Sequence, residues 1–387
     1  MTVLAVAALS ARMLAEAATD DGFEVVALDL FGDADTRRAS SQWCAIGEPA
    51  SLRIDEALLL PALGALARRA DVAGWIAGSG FEGRTDLLER AAALLPLIGT
   101  QADAVKRVRE PALFFGFLDS QGIAHPAVRL AAPEDAVGWL HKDAHGCGGW
   151  HIRRLGSTPD AAAPEALGGH RYFQREMQGT PMSATFIANG SDASVLGFNR
   201  LIVRSSAMRP FVFCGAVGPV PLPRNVAAPV TTAVRALAAA FSLRGLGSLD
   251  FMLEGETFGV LELNPRPPAS MALYRRQHFP AAAHGVLAAH VRACVEGELP
   301  QWPAHTANDA VAGTEIVFAA RPLWLDERAT MRLAARADCH DLPSAAMRFE
   351  AGDPLCSVSA SGANADDVRA LLDRGREAVH QSLETTR

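Results

Sequence analysis

The sequence predicts an α/β region with a parallel sheet, followed by an α+β region in which strands predominate. Apolar strands and helices alternate over the first hundred residues, and this alternation is typical of a parallel sheet with helical crossovers. The strands are predicted at 2–8, 23–30 and 72–77, and the helices at 11–19, 58–69 and 87–95. Ligands of such sheets bind beyond the carboxyl ends of the strands.

After Thr100 the pattern changes to a helix, a turn-rich stretch and then short strands. The helices are predicted at 103–121, 230–241 and 366–383, and the strands at 182–188, 194–203, 211–217, 248–253, 258–263, 314–320 and 355–359. We therefore expect three domains, at 1–98, 99–300 and 301–387, with a linker at 300–308.

Composition excludes several classes of protein. The chain has 387 residues, is 49% hydrophobic and carries a formal net charge of −7, which argues against a disordered chain and against nucleic-acid binding. Its six cysteines form no Cys-x-x-Cys pair, which favours buried thiols in a reducing cytoplasm over a disulfide framework. The apolar segment 2–9 has no preceding basic residue and predicts a strand rather than a signal peptide. No membrane partner is expected.

Lysine is rare in this chain. Of the 36 basic residues only Lys106 and Lys142 are lysines. Either the chemistry at these two positions requires a compact ammonium, or the two lysines are there by chance. Lys142 precedes a loop rich in glycine, at positions 146, 148 and 149. A lysine beside such a loop suits a polyphosphate, because backbone N–H groups approach the phosphates closely.

A second motif places oxygen ligands on one face of a strand. Glu262 and Asn264 alternate with leucines, so both side chains point to the same side, and Asp250 lies on a candidate neighbouring strand. Carboxylate and amide oxygens suit Mg²⁺ or Mn²⁺. Arg266 follows two residues later and could meet a phosphate. Taken alone, the segment is also compatible with a half-exposed strand that ends in an Asn-Pro turn.

The segment from Gly78 to Gly83 matches G-x-G-x-x-G. A dinucleotide site is disfavoured, because the motif follows the wrong strand and has no acidic residue on a second strand about twenty residues later. We expect the loop to line a different site, with Glu82 as its polar residue.

Together these motifs resemble the ATP-grasp superfamily of ligases, most closely over residues 100–290. The resemblance implies an ATP-grasp fold with a parallel-sheet pre-ATP-grasp domain, a nucleotide lid at about 125–175 and a small β-rich C-terminal domain. It implies metal ligands at Asp250, Glu262 and Asn264, and catalytic roles for Arg266 and Lys142. The implied ATP-binding residues are Lys106 or Arg109, Lys142, Gly146, Gly148, Gly149, Gln174, Arg175 and Met177.

A finer resemblance is to the branch with tyramine–glutamate ligase and pyrrolysine-pathway ligases, through Gln174, Gly179, Pro181 and Ser183. The N-terminal segments 10–12, 29–36 and 78–82 resemble uncharacterised ATP-grasp proteins of methylotrophs, which are linked to methanofuran- or methanopterin-type cofactors. Two departures stand out. Where the family usually has an Asp-Lys pair, this chain has the segment that contains Lys106 and Arg109. Asp143 follows Lys142 at the position where the family usually has a proline.

The implied reaction joins a small polar carboxylic acid, with glutamate favoured, to an amine through an acyl phosphate. Polar residues at the strand ends of the first sheet are the predicted substrate site, with arginines further along the chain as the next candidates. They are Ser10, Arg12, Asp33, Asp35, Thr36 and Glu82, and then Arg200, Arg204 and Arg224. The alternatives are a carboxylase, a formyl-phosphate-type transferase and a non-catalytic nucleotide-binding protein. A homodimer is the expected assembly.

Overall fold

The computed structural model describes residues 2–156, 170–205, 209–279, 282–303 and 309–384. The N-terminal strands are β1 (Val3–Ala7), β2 (Glu24–Asp29), β3 (Gln42–Ala45) and β4 (Val72–Ala77), and the helices are α1 (Arg12–Asp20), α2 (Ala34–Arg38), α3 (Glu56–Leu66) and α4 (Thr85–Leu94). The strands form a parallel sheet, as predicted, and their order is β3-β2-β1-β4. Strand β3 was not predicted. Strand β1 is buried throughout, which explains its uninterrupted apolar sequence.

The helix predicted at 103–121 is two helices, α5 (Ala102–Val108) and α6 (Pro111–Ser120). Proline disfavours the helical conformation of the residue before it, and Glu110 is extended. Pro111 then occupies the first turn of α6, where its missing N–H costs no hydrogen bond.

A small antiparallel sheet follows. Its strands are β5 (Val128–Arg129), β6 (Trp139–Asp143), β7 (Arg153–Arg154) and β8 (Arg171–Arg175), in the order β5-β8-β6-β7. This sheet lies within the lid predicted at about 125–175, of which residues 157–169 lie outside the described residues.

The remaining strands are β9 (Thr180–Asn189), β10 (Ala193–Arg204), β11 (Val212–Gly218), β12 (Arg244–Glu254), β13 (Thr257–Asn264), β14 (Val311–Phe318), β15 (Leu323–Leu325), β16 (Cys339–His340), β17 (Met347–Phe349) and β18 (Pro354–Gly362). Eight of them form one sheet in the order β13-β12-β9-β10-β11-β14-β18-β16, and β15 pairs with β17. The large sheet is thus continuous across the boundary predicted at residue 300. Residues 304–308 of the predicted linker lie outside the described residues.

The last helices are α7 (Arg224–Phe241), α8 (Val286–Val295), α9 (Glu327–Ala334) and α10 (Ala365–Glu384). Leu249 and Phe251 of β12 share a hydrophobic core with α7 on one face of the large sheet. Leu246 shares another core with α1 and α8 on the opposite face. The period of two in a strand therefore turns Ser248 and Asp250 toward the N-terminal domain. Among the described residues, no helix is both long and apolar enough to cross a bilayer.

Candidate active site

The predicted metal ligands lie side by side on the β12–β13 hairpin. Asp250 is directly opposite Glu262, and Ser248 is directly opposite Asn264. The Asn264 Nδ2 donates to Asp250 Oδ2 at 3.1 Å, which leaves the amide oxygen of Asn264 outside this bond. Alternation places Glu262 and Asn264 on one face as predicted, and a register shift between Asp250 and Phe251 brings Asp250 opposite Glu262.

Lys142 reaches this hairpin from the small sheet. It is only 3% exposed, and its Nζ lies 3.8 Å from Glu262 Oε2. The same ammonium donates to Gln174 Oε1 at 3.2 Å, and Gln174 Nε2 donates to the Leu261 carbonyl at 3.4 Å. Two sheets are thus joined through one lysine. We call Lys142, Asp250, Glu262 and Asn264 the hairpin cluster.

The two carboxylates of the hairpin cluster have opposite electrostatic surroundings. Burial and the neighbouring Glu262 raise the pKa of Asp250 to about 7. Burial alone would also raise the pKa of Glu262, but Lys142, Arg109 and His151 outweigh it and lower that pKa to about 2. Two adjacent half-buried acids that repel each other, beside the amide oxygen of Asn264, are a donor set that fits Mg²⁺.

Arg109 fixes the glycine-rich loop beside the hairpin cluster. Its Nε donates to the Ala144 carbonyl at 2.8 Å, and its Nη2 donates to the Gly146 carbonyl at 2.5 Å. Arg109 is 8% exposed, whereas Lys106 is exposed on α5. The structure therefore places Arg109, and not Lys106, beside the loop. Residues four apart on one helical turn share a face, and Arg109 follows the buried Val105 at that spacing.

The glycines of the loop are required by close packing. Gly149 has φ +74°, and a Cβ there would lie 1.7 Å from the Phe211 carbonyl oxygen. A Cβ on Gly146 would lie 2.2 Å from the His151 ring. The Phe213 N–H also donates to the Gly148 carbonyl at 3.0 Å, so the loop is held against the start of β11. Freedom to approach phosphates, the reason given by the sequence, is therefore not the only role of these glycines.

Arg266 and Glu82 form an ion pair between the large sheet and the N-terminal domain. The Arg266 Nε donates to Glu82 Oε1 at 2.6 Å, and the Gly80 N–H donates to Glu82 Oε2 at 2.7 Å. Although burial opposes it, the positive charges of Arg266 and Arg109 keep the pKa of Glu82 below its usual range. Sequence analysis gave Arg266 a catalytic role and Glu82 a separate role in substrate binding, whereas the structure pairs them. Glu82 therefore orients Arg266.

Sequence analysis missed two residues of the loop, Cys147 and His151. Burial lowers the pKa of His151 to about 4, with Lys142 and Arg109 nearby, and no described atom bonds to its buried Nδ1. Burial and the carboxylate of Glu82 raise the pKa of Cys147 to about 11. Both side chains are therefore neutral at pH 7. Their position around three glycines was the only signal in the sequence.

Two cavities flank these residues. One of about 320 Å³ lies beside Arg109, Phe114, Tyr172, Leu261 and Glu262. The other, of about 410 Å³ with its open mouth, lies between the two domains. The residues around it include Gly78, Phe81, Glu82, Arg244, Arg266 and His290. The ion pair of Arg266 and Glu82 therefore borders the second cavity, and Glu262 borders the first.

The structure places Arg200 and Arg204, both predicted to bind substrate, on the face of the large sheet opposite the hairpin cluster. The neighbouring Asn199 accepts a hydrogen bond from the Tyr274 hydroxyl at 2.8 Å, on the same face as Asp250. Arg200 points to the other face, where its Nη1 lies 2.9 Å from Asp366 of α10. Arg204 donates to Glu315 on that side as well. Arg224 begins α7, which also covers that face.

The proposed substrate role of Arg12 also disagrees with the structure. Its guanidinium bonds to both oxygens of Asp341, at 2.5 and 3.0 Å, and to Glu16 at 3.1 Å. Asp33, Asp35 and Thr36 are buried close by, at 6% exposure or less. Arg12 therefore has no free edge for a substrate carboxylate. Sequence reasoning could not see this partner, because Asp341 follows 329 residues later.

Three other predicted residues lie in different surroundings. Arg175 is exposed, because it follows the inward-facing Gln174, and its Nη1 donates to the Val137 carbonyl at 2.8 Å. The Met177 sulfur lies so close to Gly259 that a Cβ there would be 2.6 Å from it. Ser10 is half-buried after β1.

Residues 113–270 match the sequence model of a family described as the ATP-grasp domain. This segment contains the small sheet, the glycine-rich loop and the β12–β13 hairpin. The chain has the ATP-grasp fold. A sequence comparison with curated proteins gives no match.

Solved structures of several enzymes are similar along nearly the whole chain. Biotin carboxylase from Campylobacter jejuni has a TM-score of 0.69 at 14% identity, covering 96% of this chain and 89% of its own. N5-carboxyaminoimidazole synthase from Aspergillus clavatus has a TM-score of 0.68 at 16% identity, covering 98% and 99%. L-amino acid ligase from Bacillus licheniformis has a TM-score of 0.66 at 14% identity, covering 99% and 98%.

Proposed function

We propose that the protein is an ATP- and Mg²⁺-dependent carboxylate–amine ligase. The observation that supports this most directly is the hairpin cluster, in which a buried lysine from the small sheet meets Glu262 beside Asp250 and Asn264. Similar folds include an L-amino acid ligase. The ATP-grasp domain thus has both a cation for phosphate oxygens and oxygen ligands for a metal.

In the proposed reaction, a substrate carboxylate oxygen attacks the γ-phosphorus of ATP, and ADP leaves. The amine nitrogen then attacks the carbonyl carbon of the acyl phosphate, phosphate leaves and the nitrogen loses a proton. Mg²⁺ bound to Asp250, Glu262 and Asn264 would neutralise charge on the phosphates. Lys142 would bind phosphate oxygens as a buried point charge.

Arg266 is proposed to stabilise negative charge on the transferring phosphoryl group. Its ion pair with Glu82 fixes the guanidinium at 2.6 Å from the carboxylate, so it needs little reorganisation when charge develops. Arg109 holds the loop over the hairpin cluster, and a closed loop excludes the water that would hydrolyse an acyl phosphate. The ATP contacts are proposed for Lys142, Arg109, Gln174, Met177 and the loop glycines.

We propose an amino acid such as glutamate as one substrate, and a role in a one-carbon cofactor pathway of the methanofuran or methanopterin type. The first rests on the resemblance through Gln174, Gly179, Pro181 and Ser183, and the second on the resemblance of the N-terminal segments. With Arg12 occupied, the ion pair of Arg266 and Glu82 beside the 410 Å³ cavity is the proposed place for the acceptor. A cytoplasmic location and a homodimer remain part of this proposal.

A carboxylase is the second candidate, because biotin carboxylase and N5-carboxyaminoimidazole synthase have the same fold over almost the full chain. One experiment separates the two. ADP release is measured with a panel of amino acids and amines, and in parallel with bicarbonate and each amine.

Turnover that needs a carboxylic acid and an amine together, with the amide seen by mass spectrometry, supports the ligase. Turnover that needs bicarbonate supports the carboxylase. ATP binding with no turnover across both panels contradicts both and favours a nucleotide-binding protein.

A further inference from the structure

A second cluster of charged residues lies where the N-terminal domain meets β16 and β18. Glu16, Asp35 and His340 each place one ligand atom within 4.8 Å of the others. These residues come from α1, α2 and β16, so the C-terminal strands complete the cluster. We call Arg12, Glu16, Asp35, His340 and Asp341 the interdomain cluster.

Local backbone geometry positions this cluster. Asp341 has φ +58°, a left-handed conformation that aspartate tolerates better than most residues. Its N–H donates to Asp35 Oδ2 at 2.9 Å, and its carboxylate binds Arg12. The His340 Nε2 lies 2.8 Å from Ser359 Oγ, so the Nδ1 of the ring is the atom left to bind a ligand.

One oxygen of the cluster is buried without a partner. Asp35 is 5% exposed, and among the described residues its Oδ1 has no hydrogen-bond donor. The Glu16 Oε2 already accepts bonds from Arg12 at 3.1 Å and from Arg275 at 2.6 Å. Leaving a buried carboxylate oxygen unpaired is costly, and a bound cation would remove that cost.

The cluster also holds excess negative charge. Two arginines, Arg12 and Arg275, face the carboxylates of Glu16, Asp35 and Asp341, and Asp33 lies beside them. Asp33 is only 6% exposed, so its carboxyl group is buried with these acids. The site therefore favours a cation even with its arginines in place.

We propose that Glu16, Asp35 and His340 bind a zinc-class divalent ion that links the N-terminal domain to the C-terminal strands. Two carboxylates and one imidazole suit Zn²⁺ and Co²⁺, whereas the all-oxygen set of the hairpin cluster suits Mg²⁺. The ion would bond the unpaired Asp35 oxygen and the free ring nitrogen of His340. Its binding does not depend on ATP or on the proposed ligase activity.

The test is a Co²⁺ titration of the full chain, stripped of metal with a chelator, kept free of nucleotide and supplied with excess Mg²⁺ to occupy the hairpin cluster. We expect one equivalent of Co²⁺ to bind with visible d–d absorption and no thiolate charge-transfer band, and Zn²⁺ to displace it. His340→Gln and Asp35→Asn should each weaken binding at least about tenfold. His284→Gln is the matched control, because His284 is exposed.

Glu262→Gln separates this site from the nucleotide site, and it should leave Co²⁺ binding unchanged. His340→Gln alone decides the matter if Asp35→Asn does not fold. The proposal is overturned if the parent chain binds no Co²⁺, if a thiolate band shows that Cys339 or another cysteine is the ligand, or if His340→Gln binds as tightly as the parent. None of these outcomes bears on ATP turnover.

Discussion

The hairpin cluster and the interdomain cluster both bury opposite charges, but they differ in how the charges are satisfied. In the hairpin cluster Lys142 remains 3.8 Å from Glu262, and a cavity of about 320 Å³ borders the glutamate. In the interdomain cluster Arg12 bonds both oxygens of Asp341 directly. An ion pair with room beside it can accept a substrate, whereas the two-point bond of Arg12 to Asp341 connects parts of the fold.

Arg12→Met gives the largest expected effect on stability. The variant removes the buried Arg12 guanidinium and leaves the half-buried Asp341 without its cation. Breaking a buried pair on one side typically costs about 3–5 kcal/mol of the free energy of unfolding, and the partial exposure of Asp341 places the expected loss near the lower figure. Urea unfolding followed by circular dichroism measures the loss. Arg69→Met, which breaks an exposed pair with Asp71, is the control and should show no measurable change.

This result also decides between the two interpretations of Arg12. A stable Arg12→Met variant with a raised KM for the carboxylic acid would show that Arg12 binds substrate after all. A destabilised variant whose KM is unchanged would confirm that the structure, and not the sequence, identifies its role.

Glu262→Gln should reduce ADP formation at least about 100-fold, because it removes a charged metal ligand from the hairpin cluster. The fold should persist, since glutamine has nearly the same volume and Asp250 loses a like-charged neighbour. Steady-state ADP release and a thermal melt measure the two effects. Glu256→Gln changes an exposed glutamate of the same hairpin and is the matched control. A folded Glu262→Gln variant with parental turnover would contradict the metal assignment.

The difference between the clusters explains what the sequence can predict. Glu262 and Asn264 share one face of β13 by strand alternation. Asp250 joins them only because the register of the hairpin shifts by one residue between Asp250 and Phe251, which places Glu262, and not Leu261, opposite Asp250. Local periodicity therefore predicts the parallel sheet of the first hundred residues and the pairing of Glu262 with Asn264, whereas the bulge that adds Asp250 could not be predicted from it.

Contacts between distant segments could not be predicted. The pairing of Arg12 with Asp341, and of Arg266 with Glu82, depends on how whole sheets pack. The face on which Arg200 lies depends on the register of β10 within an eight-stranded sheet. A shift of one residue in that register would reverse the side.

The buried His290 makes only neutral hydrogen bonds and can be compared with the charged hairpin and interdomain clusters. Its Nδ1 accepts from the Leu246 N–H at 2.8 Å, and its Nε2 donates to the Ile98 carbonyl at 2.9 Å. Burial lowers the pKa of His290 to about 4, below the usual value of 6.5. The unfolded chain therefore takes up a proton first as the pH falls.

The stability from His290 is complete above about pH 6.5 and decreases as the pH falls toward 4. By linkage, this histidine alone should lower the free energy of unfolding by about 2 kcal/mol between pH 7 and pH 5. The His290→Gln variant keeps a hydrogen-bond acceptor and a donor at this position but has no group that takes up a proton. Its urea midpoint should therefore vary less between pH 7 and pH 5 than that of the parent chain. Identical pH profiles for the two proteins would contradict the assignment of a neutral, buried histidine.

Lys142→Arg should give the smallest effect, an increase of about tenfold in the KM for ATP with the fold retained. The Lys142 Nζ is held between Gln174 and Glu262 and lies 5.7 Å from the centre of the Tyr172 ring. A planar guanidinium is wider than this site and cannot direct one compact charge between phosphate oxygens. Initial rates of ADP release at varied ATP measure the change, and a thermal melt checks the fold.

Lys106→Arg changes the other lysine, which is exposed, and should leave the KM unaltered. If both variants have the parental KM, the rarity of lysine in this chain has no bearing on ATP. If both raise it equally, the first nucleotide cation is Lys106 and the position of Arg109 beside the loop is structural.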